Sequence, residues 1–378
     1  MESYHTEKKW IWNAKEFPNF NYSKSNLEGL FFKLGQLQTI EKFMNKNDSK
    51  ELLVDVLEDE AIATSAIEGE VLQRSSVRSS INKILRLGLE DDYSYTTQTD
   101  ALVEIIIDAK QNSQEKFTKE RLLIWHNALF PTGQSGFHKI EVGKYRESEE
   151  DMQIVSGPWE KEKIHYIAPP SSRVEYMMNE YLEWLNEDVE ASATIYKAIV
   201  AHLWFVLIHP FDDGNGRIAR AITDYVLSKT GLVNSSFYSM ATSILTKRKE
   251  YYQILDSTCI KTNLDITLWV DWFVGLLEES IDATLFKIQS VKMKALFWDK
   301  HINTKLNTRQ KKVILKMLSV LPLKFEGGMK VSKYTSIAKS TRLTASRDLA
   351  DLVEQGVMLR HGSGRGVYYT LLLSQKEK

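Results

Sequence analysis

Apolar residues recur three and four positions apart along most of the chain, with few Gly or Pro interruptions, and this spacing predicts α-helices. The predicted helices cover residues 27–43, 51–67, 76–87, 102–109, 121–129, 174–185, 193–208, 215–227, 268–277 and 280–298. The body of the protein is therefore predicted to be all-α.

The pattern changes between Thr132 and Ser172, where Gly, Pro and β-branched residues replace the helical spacing. Such a segment favours a short β-hairpin with loops over a helix. Long irregular segments inside compact domains are usually functional or mobile. We therefore expect this hairpin to have a role in function.

The last 80 residues have a different organisation. Helical spacing at 308–318, 334–338 and 344–355 is followed by a glycine-rich hairpin pattern at 359–371. Three helices and a hairpin in this order predict a C-terminal winged helix-turn-helix domain. Thr344, Ser346 and Arg347 would lie near the start of its third helix, where a DNA reader keeps its base contacts.

Composition and charge support a globular, multidomain protein. The chain of 378 residues is longer than one ordinary domain. Its composition, with 43% hydrophobic and 26% charged residues, excludes the collagen-like, low-complexity and wholly disordered classes of protein. The net charge of −1 hides an asymmetry, because residues 300–378 carry 16 Lys and Arg against 5 Asp and Glu. A basic module of net charge +11 therefore follows a body of net charge −12.

The number of cysteines and the hydropathy of the chain indicate in which cellular compartment the protein is expected. The single cysteine, Cys259, cannot form an intrachain disulfide or a cysteine-based zinc site. The longest apolar stretch, 198–208, is far shorter than the roughly 20 residues that span a bilayer, and the first residues show no signal-peptide pattern. We expect a cytoplasmic protein with no membrane partner.

The segment HPFDDGNGRIAR, residues 209–220, contains the strongest chemical signal. Gly214 and Gly216 flank Asn215, so the backbone can turn its N–H groups inward at the start of a helix, where the helix dipole attracts anions. Arg217 and Arg220 are three apart and share one helix face. Two guanidinium groups beside an anion nest suit a polyphosphate better than a single carboxylate.

Two further residues complete this segment. Asp213 could hold a Mg²⁺ ion that bridges phosphates, and His209 could take a proton from an incoming hydroxyl. Taken singly, each such residue is more often structural, as a turn aspartate or a solvated arginine. Their occurrence together within twelve residues makes a chance arrangement much less plausible.

This segment resembles the signature of the Fic family, HxFx(D/E)GNGRxxR, with every specified position filled. The resemblance implies an enzyme that transfers AMP from ATP to a Ser, Thr or Tyr hydroxyl of a protein and releases pyrophosphate. It implies that His209 is the base, Asp213 the Mg²⁺ ligand, 214–216 the anion hole, Arg217 and Arg220 the phosphate clamps, and Phe211 a core anchor. Related Doc-type kinases have Lys where this chain has Gly216, which favours AMP transfer.

A second segment, Thr64-Ser-Ala-Ile-Glu68-Gly69, resembles the (S/T)xxxE(G/N) inhibitory helix of Fic proteins. The resemblance implies that Glu68 pairs with Arg220. A carboxylate on Arg220 would compete with the γ-phosphate of ATP, so the resting enzyme is predicted to be autoinhibited. The alternative is an ordinary helix C-terminus with Gly69 as its cap, and the two interpretations are compatible.

The resemblance extends over nearly the whole chain. It implies an N-terminal helical domain at 1–110 that carries the inhibitory helix, a Fic catalytic domain at 111–298 and the winged helix at 299–378. The predicted hairpin resembles the flap on which Fic proteins align their target. Tyr251 or Tyr252 would shelter the adenine, although an aromatic pair on an amphipathic helix is more often core.

Three functions remain open at this stage. The first is the autoinhibited adenylyltransferase, with ATP, Mg²⁺ and an unidentified protein substrate. The second is removal of AMP at the same site, with Glu68 positioning a water. The third is a DNA-binding regulator with a secondary Fic core, which the basic C-terminal tail suggests. A winged-helix domain could instead dock a protein or form a homodimer contact.

Overall fold

The computed structural model describes residues 9–87, 97–135, 138–157, 162–229, 231 and 237–373. These residues divide between two compact units, 1–282 and 283–378, and the boundary falls within a long helix. The domain division expected between residues 110 and 111 stays a prediction. The ends of the expected first and last domains, residues 1–8 and 374–378, lie outside the described residues.

The described residues are mostly helical, which confirms the helical prediction. The first unit contains α1 (Glu28–Phe43), α2 (Lys46–Ile67), α3 (Arg74–Ile84), α4 (Thr97–Gln111), α5 (Lys119–Leu129), α6 (Ser171–Asn186), α7 (Thr194–Ile208), α8 (Asn215–Lys229), α9 (Met240–Thr246) and α10 (Arg248–Cys259). The helix α11 (Thr267–Lys300) follows, and the second unit contains α12 (Thr308–Leu318), α13 (Val331–Ala338) and α14 (Arg342–Glu354).

Three small antiparallel sheets of two strands each complete the described part of the chain. They pair β1 (Gln134–Ser135) with β2 (His138–Lys139), β3 (Gln153–Ser156) with β4 (Lys163–Ile167), and β5 (Met358–His361) with β6 (Tyr368–Leu371). The hairpin predicted between Thr132 and Ser172 is confirmed by the pairing of β3 with β4.

Helix α7 lies at the centre of the first unit, and every one of its residues is buried. The stretch Ala191–Ile208 is long and apolar enough to cross a membrane by length and composition, but 83% of it is buried inside the protein, as in the core helix of a folded domain. Helix α8 packs along α7 and buries all but three of its residues. The segment that joins α7 to α8 is therefore held between two buried helices.

Two sequence predictions about helices are corrected by the structure. The helices predicted at 268–277 and 280–298 form one continuous α11. The polar pair Glu278 and Glu279 looks like a break in the apolar pattern, but both carboxylates form ion pairs on the helix surface, with Lys33 and Lys247.

Helix α9 has no counterpart among the predicted helices. The Ser239 hydroxyl caps this helix by accepting a hydrogen bond from the N–H of Thr242 at 3.2 Å.

The second unit has its own hydrophobic core. Buried residues of α12, α14 and β5 meet there, including Val313, Leu349 and Met358. Met329 adds one antiparallel bridge to Tyr369 of β6, with both backbone hydrogen bonds at 2.8 Å. The Asn307 and Gln310 side chains form a capping box that fixes the start of α12.

Candidate active site

The turn between α7 and α8 holds His209 in a strained backbone conformation. His209 follows the last residue of α7 and has a φ of 51°, in the left-handed region that residues other than Gly rarely adopt. The carbonyl oxygen of His209 accepts a hydrogen bond from Nε of Arg146 at 2.8 Å. The buried Arg146 side chain also donates to the carbonyl of Pro169, after β4, so it links the hairpin segment to the turn.

The protonation state of His209 suits a general base. Its Nδ1 lies 3.2 Å from the carbonyl oxygen of Val206, and because a carbonyl can only accept, Nδ1 is the nitrogen that carries the proton. Burial lowers the pKa of His209 to about 4. At neutral pH the ring is therefore uncharged, and its Nε2 is left to accept a proton.

Phe211 anchors the turn in the core, as the family resemblance implied. Its ring is fully buried and stacks on His126 of α5, with centroids 3.9 Å apart and planes 6° apart. Nδ1 of His126 accepts the N–H of Gly143 at 3.1 Å, so its Nε2 carries the proton and donates to the Asp213 carbonyl at 3.2 Å. Burial lowers the pKa of His126 to about 4, which keeps this bridge uncharged.

The glycines and Asn215 shape the start of α8. Gly214 has a φ of 83°, and a Cβ there would lie 2.8 Å from the ring of Phe130. The Asn215 side chain closes the turn, since it accepts the N–H of Phe211 at 3.1 Å and donates to its carbonyl at 2.7 Å. The first N–H groups of α8 lack partners inside the helix, as at any helix N-terminus, and this is the turn for which the sequence predicts anion binding (the anion-binding turn).

Arg220 is paired with Glu68. Its Nη2 lies 2.7 Å from Oε1 of Glu68, and its Nε donates to the Thr64 hydroxyl at 2.6 Å. Burial lowers the pKa of the Arg220 guanidinium, but the Glu68 carboxylate, together with Tyr251 and Tyr252, outweighs this effect, so that the pKa is raised. The side chain of Arg220 is 1% exposed and that of Glu68 28% exposed, so water screens this pair only in part.

Glu68 ends α2 and lies directly over the anion-binding turn. Gly69 follows it with a φ of 86°, so it also serves as the glycine cap of an ordinary helix end. A Cβ on Gly216 would collide with Oε1 of Glu68. The Glu68 carboxylate therefore occupies the space above the first turn of α8.

Arg217 is paired with a carboxylate that the sequence analysis missed. Its Nη1 donates to both oxygens of Glu70, each at 3.0 Å. Within the described residues, Nε of Arg217 and Nη1 of Arg220 are buried and have no hydrogen-bond partner. Two unpartnered guanidinium N–H groups beside a helix N-terminus fit an anionic group such as a phosphate chain.

Asp213 is the residue at this site that fits a divalent cation. Its side chain is 39% exposed, and Oδ2 accepts the hydroxyl of Ser135. The described residues contain no group of three or more His, Cys, Asp or Glu that could hold a metal ion. One carboxylate is consistent with Mg²⁺, which proteins commonly bind through one or two carboxylates together with substrate phosphates.

The two tyrosine candidates for the adenine differ in exposure. Tyr251 is 3% exposed, its hydroxyl is 3.0 Å from Nε2 of His202, and its ring packs against Trp269 and Trp272 of α11. Tyr251 is therefore a core residue. Tyr252 is half-buried, and its pKa is raised by burial and then by the nearby charge of Glu68, so it remains the candidate beside the site.

Residues 116–227 match the Fic/DOC family, and residues 10–89 match a domain of unknown function, DUF4172. A protein adenylyltransferase Fic of Nematostella vectensis is 26% identical over 235 residues, which cover 59% of this chain and 47% of that protein. A probable protein adenylyltransferase of Aquifex aeolicus is 30% identical over 125 residues, covering 33% of this chain and 34% of that protein. The chain is a Fic family protein.

Solved structures support the same fold. A Fic family protein of Desulfovibrio desulfuricans superposes with a TM-score of 0.51 at 18% identity and covers 93% of this chain and 98% of its own. A Fic domain containing signaling protein of Bacteroides thetaiotaomicron gives a TM-score of 0.51 at 20% identity, covering 69% of this chain and 95% of its own. This Fic protein thus aligns with about half or less of the length of these two curated relatives, but with nearly the full length of both solved structures.

Proposed function

We propose that this Fic protein transfers AMP from ATP to a Ser, Thr or Tyr hydroxyl of another protein, and that Glu68 keeps the resting enzyme inactive. The observation that carries the proposal is the pairing of Glu68 with Arg220 over the anion-binding turn. The names of the relatives, protein adenylyltransferases of modest identity, support the same reaction class.

The reaction uses the groups described above. Nε2 of His209 takes the proton of the acceptor hydroxyl, whose oxygen attacks the α-phosphorus of ATP. The new P–O bond forms as the bond to the β-phosphate oxygen breaks, and pyrophosphate leaves. The first turn of α8 and Arg217 stabilise the charge on the phosphates. Asp213 would hold Mg²⁺, which supplies charge neutralisation to the phosphates when bound.

Inhibition follows because Glu68 and the phosphates of ATP compete for the same space and for the same guanidinium group, that of Arg220. The Glu68 carboxylate satisfies one arm of Arg220 and fills the space above Gly216. A phosphate group needs both, because it would bind the guanidinium group and the helix N-terminus together. ATP therefore has to displace Glu68 before its phosphates reach the productive position.

The transfer reaction is tested with ATP labelled at either the α- or the γ-phosphate. The Glu68→Gly protein is incubated with Mg²⁺ and a cell lysate, beside a Glu68→Gly/His209→Ala protein of the same folded content. The α-label should enter protein in the first case only, whereas the γ-label, which the kinases of the lysate transfer, should enter protein equally in both. Equal α-labelling by both proteins would contradict the role of His209, and γ-labelling that is lost with His209→Ala would indicate phosphate transfer instead.

Removal of AMP is a second candidate, favoured by the position of Glu68. Only Oε1 of Glu68 contacts Arg220, and the side chain is 28% exposed, so Oε2 can accept a hydrogen bond from a water molecule. That water could attack an AMP group on a modified protein. In this case Glu68→Gly would abolish release of AMP from a modified target.

DNA binding by the C-terminal unit is a third candidate. Three helices followed by the β5–β6 hairpin, with the Met329 bridge, support assignment as a winged helix. The exposed face of α14 presents Arg342, Leu343, Ser346 and Arg347. A protein-docking role or a homodimer contact would use the same exposed face.

A further inference from the structure

Three side chains distant in sequence form a continuous hydrogen-bond chain beside the nucleotide site. The Ser156 hydroxyl at the end of β3 lies 2.5 Å from Nε2 of His165 on β4. Nδ1 of His165 lies 2.6 Å from Oδ2 of Asp256 on α10. The chain is therefore serine, histidine, aspartate, with a different imidazole nitrogen facing each partner.

The hydrogen-bond directions are fixed by the aspartate. A carboxylate can only accept, so Nδ1 of the His165 ring carries the proton that points at Asp256. In the neutral ring Nε2 then has a free lone pair, and it accepts the hydroxyl proton of Ser156. This is the arrangement in which histidine acts as a base on a serine nucleophile and a carboxylate orients the ring.

A β-bulge sets the position of His165. Ile154 pairs with Tyr166 and Val155 pairs with Ile164, so His165 is the extra residue opposite this register shift. Bulged residues leave the ladder, and bulges near functional sites re-aim a side chain. Tyr166 fixes the neighbouring position, because its buried hydroxyl donates to the Leu207 carbonyl at 2.6 Å. The bulge frees His165 to reach Asp256.

The Ser156 end of this arrangement is accessible to solvent, and a lysine stands opposite Ser156 on the neighbouring strand. Ser156 is exposed, while the side chains of His165 and Asp256 are only 20% and 33% exposed. Ser156 pairs directly with Lys163 across the hairpin, so the two side chains emerge on the same face of the sheet. Lys163 is thus the cation on the side of the hairpin where negative charge would develop on a group attacked by Ser156.

We propose that Ser156, His165, Asp256 and Lys163 form a second nucleophilic centre, which accepts the acyl group of an ester. His165 removes the hydroxyl proton as the Ser156 oxygen bonds to the carbonyl carbon, and Lys163 stabilises the resulting oxyanion. The carbonyl re-forms as the bond to the alcohol oxygen breaks, and His165 returns the proton to that alcohol. The products are acyl-Ser156 and the free alcohol.

This centre is separate from the groups that act on ATP. Asp256 lies one helical turn beyond Tyr252 on α10, so the two sites are neighbours. None of the four residues belongs to the turn 209–220, and the hydrogen bonds of Arg217 and Arg220 go to other side chains. The proposal therefore stands or falls independently of AMP transfer.

The test measures covalent labelling of the full chain by an alkyl fluorophosphonate, which bonds to activated serines with loss of fluoride. Peptide mass spectrometry gives the modification rate at Ser156 and at Ser148. Ser148 is the internal control, because it is exposed but its hydroxyl accepts a backbone N–H, that of Glu150, at 3.2 Å. A second reaction with 4-nitrophenyl acetate tests acyl transfer by the burst of nitrophenolate and the acetyl group on Ser156.

We expect Ser156 to be labelled at least about tenfold faster than Ser148, and labelling to be abolished in Ser156→Ala. His165→Gln and Asp256→Asn should each slow labelling by about tenfold or more, in line with the usual effect of a general base. Unchanged melting temperatures of these variants would exclude loss of the hairpin as the cause. Labelling of Ser156 at the rate of Ser148, or equal rates in wild type, His165→Gln and Asp256→Asn, would overturn the proposal.

Discussion

Both carboxylate oxygens of Glu70 lie 3.0 Å from Nη1 of Arg217, one helical turn from the position where Glu68 pairs with Arg220. The two arginines proposed to bind phosphates are thus each held by a carboxylate of the same short segment. The intervening Gly69 has a φ of 86°, so the chain turns there and both carboxylates face α8. Each of the two arginines therefore forms an ion pair with a glutamate, and the family resemblance indicated only the pair of Arg220 with Glu68.

Neutralising Glu70 should release Arg217 for the nucleotide. In Glu70→Gln the amide cannot hold the guanidinium as strongly as a carboxylate, since a charge-assisted hydrogen bond is about twice as strong as a neutral one. We expect ATP to bind roughly three- to tenfold more tightly, measured by calorimetry with Mg²⁺ on the Glu68→Gly background. A weaker affinity in a folded variant would show instead that Glu70 positions Arg217 for the phosphates.

The folded protein should lose stability on acidification through its buried histidines. His202 lies between the Thr223 hydroxyl and the Tyr251 hydroxyl, both 3.0 Å away, and burial lowers its pKa to about 3. Below its unfolded pKa of about 6.5, the unfolded chain binds a proton that the folded chain does not. The free energy of unfolding therefore falls as the pH drops from 6.5 towards 3.

His202→Gln isolates this contribution, because glutamine can hydrogen-bond but does not titrate. Between pH 7 and pH 5 the wild type should lose about 2 kcal/mol more of its free energy of unfolding than the variant does. Guanidinium titrations at the two pH values measure both losses. Equal losses in the two proteins would show that His202 does not carry the effect.

Much of the site was predictable because its residues are close in sequence. His209, Asp213, Arg217 and Arg220 lie within twelve residues, and a helix brings positions three and four apart onto one face. The structure gathers them around the start of α8 as expected. The partners Glu70, His126 and Arg146 come from other segments, and no local pattern marks them.

Long-range pairing explains what the sequence could not give. Glu68 and Arg220 are 152 positions apart, and the family resemblance, not residue spacing, suggested their contact. The choice between Tyr251 and Tyr252 depended on which ring the α11 tryptophans cover. The continuity of α11 was missed because Glu278 and Glu279 looked like a break, whereas in the structure these two glutamates pair with Lys33 and Lys247.

The exposed face of α14 should contribute to any electrostatic binding of DNA. In the full chain, Arg342→Glu/Arg347→Glu should weaken binding of duplex DNA and reduce the salt dependence by about 0.9 in log–log slope for each phosphate that the protein no longer neutralises. Lys50→Glu/Lys249→Glu is the matched control, because it changes the net charge equally at two exposed positions in the first unit. Gel shifts at several salt concentrations measure both. Equal weakening by the two variants would assign the effect to net charge and not to α14.

The most direct test of the inhibitory pairing is the initial rate of AMP transfer from α-labelled ATP by wild type, Glu68→Gly and Glu51→Ala. Glu51 is an exposed glutamate on α2, the helix that Glu68 ends, so it controls for loss of a carboxylate. Glu68→Gly should be about tenfold to a hundredfold faster than wild type, as expected when a charged hydrogen bond worth about 1.5–3 kcal/mol no longer opposes ATP, and Glu51→Ala should be unchanged. Equal rates for wild type and a folded Glu68→Gly, at saturating and at low ATP, would contradict the account.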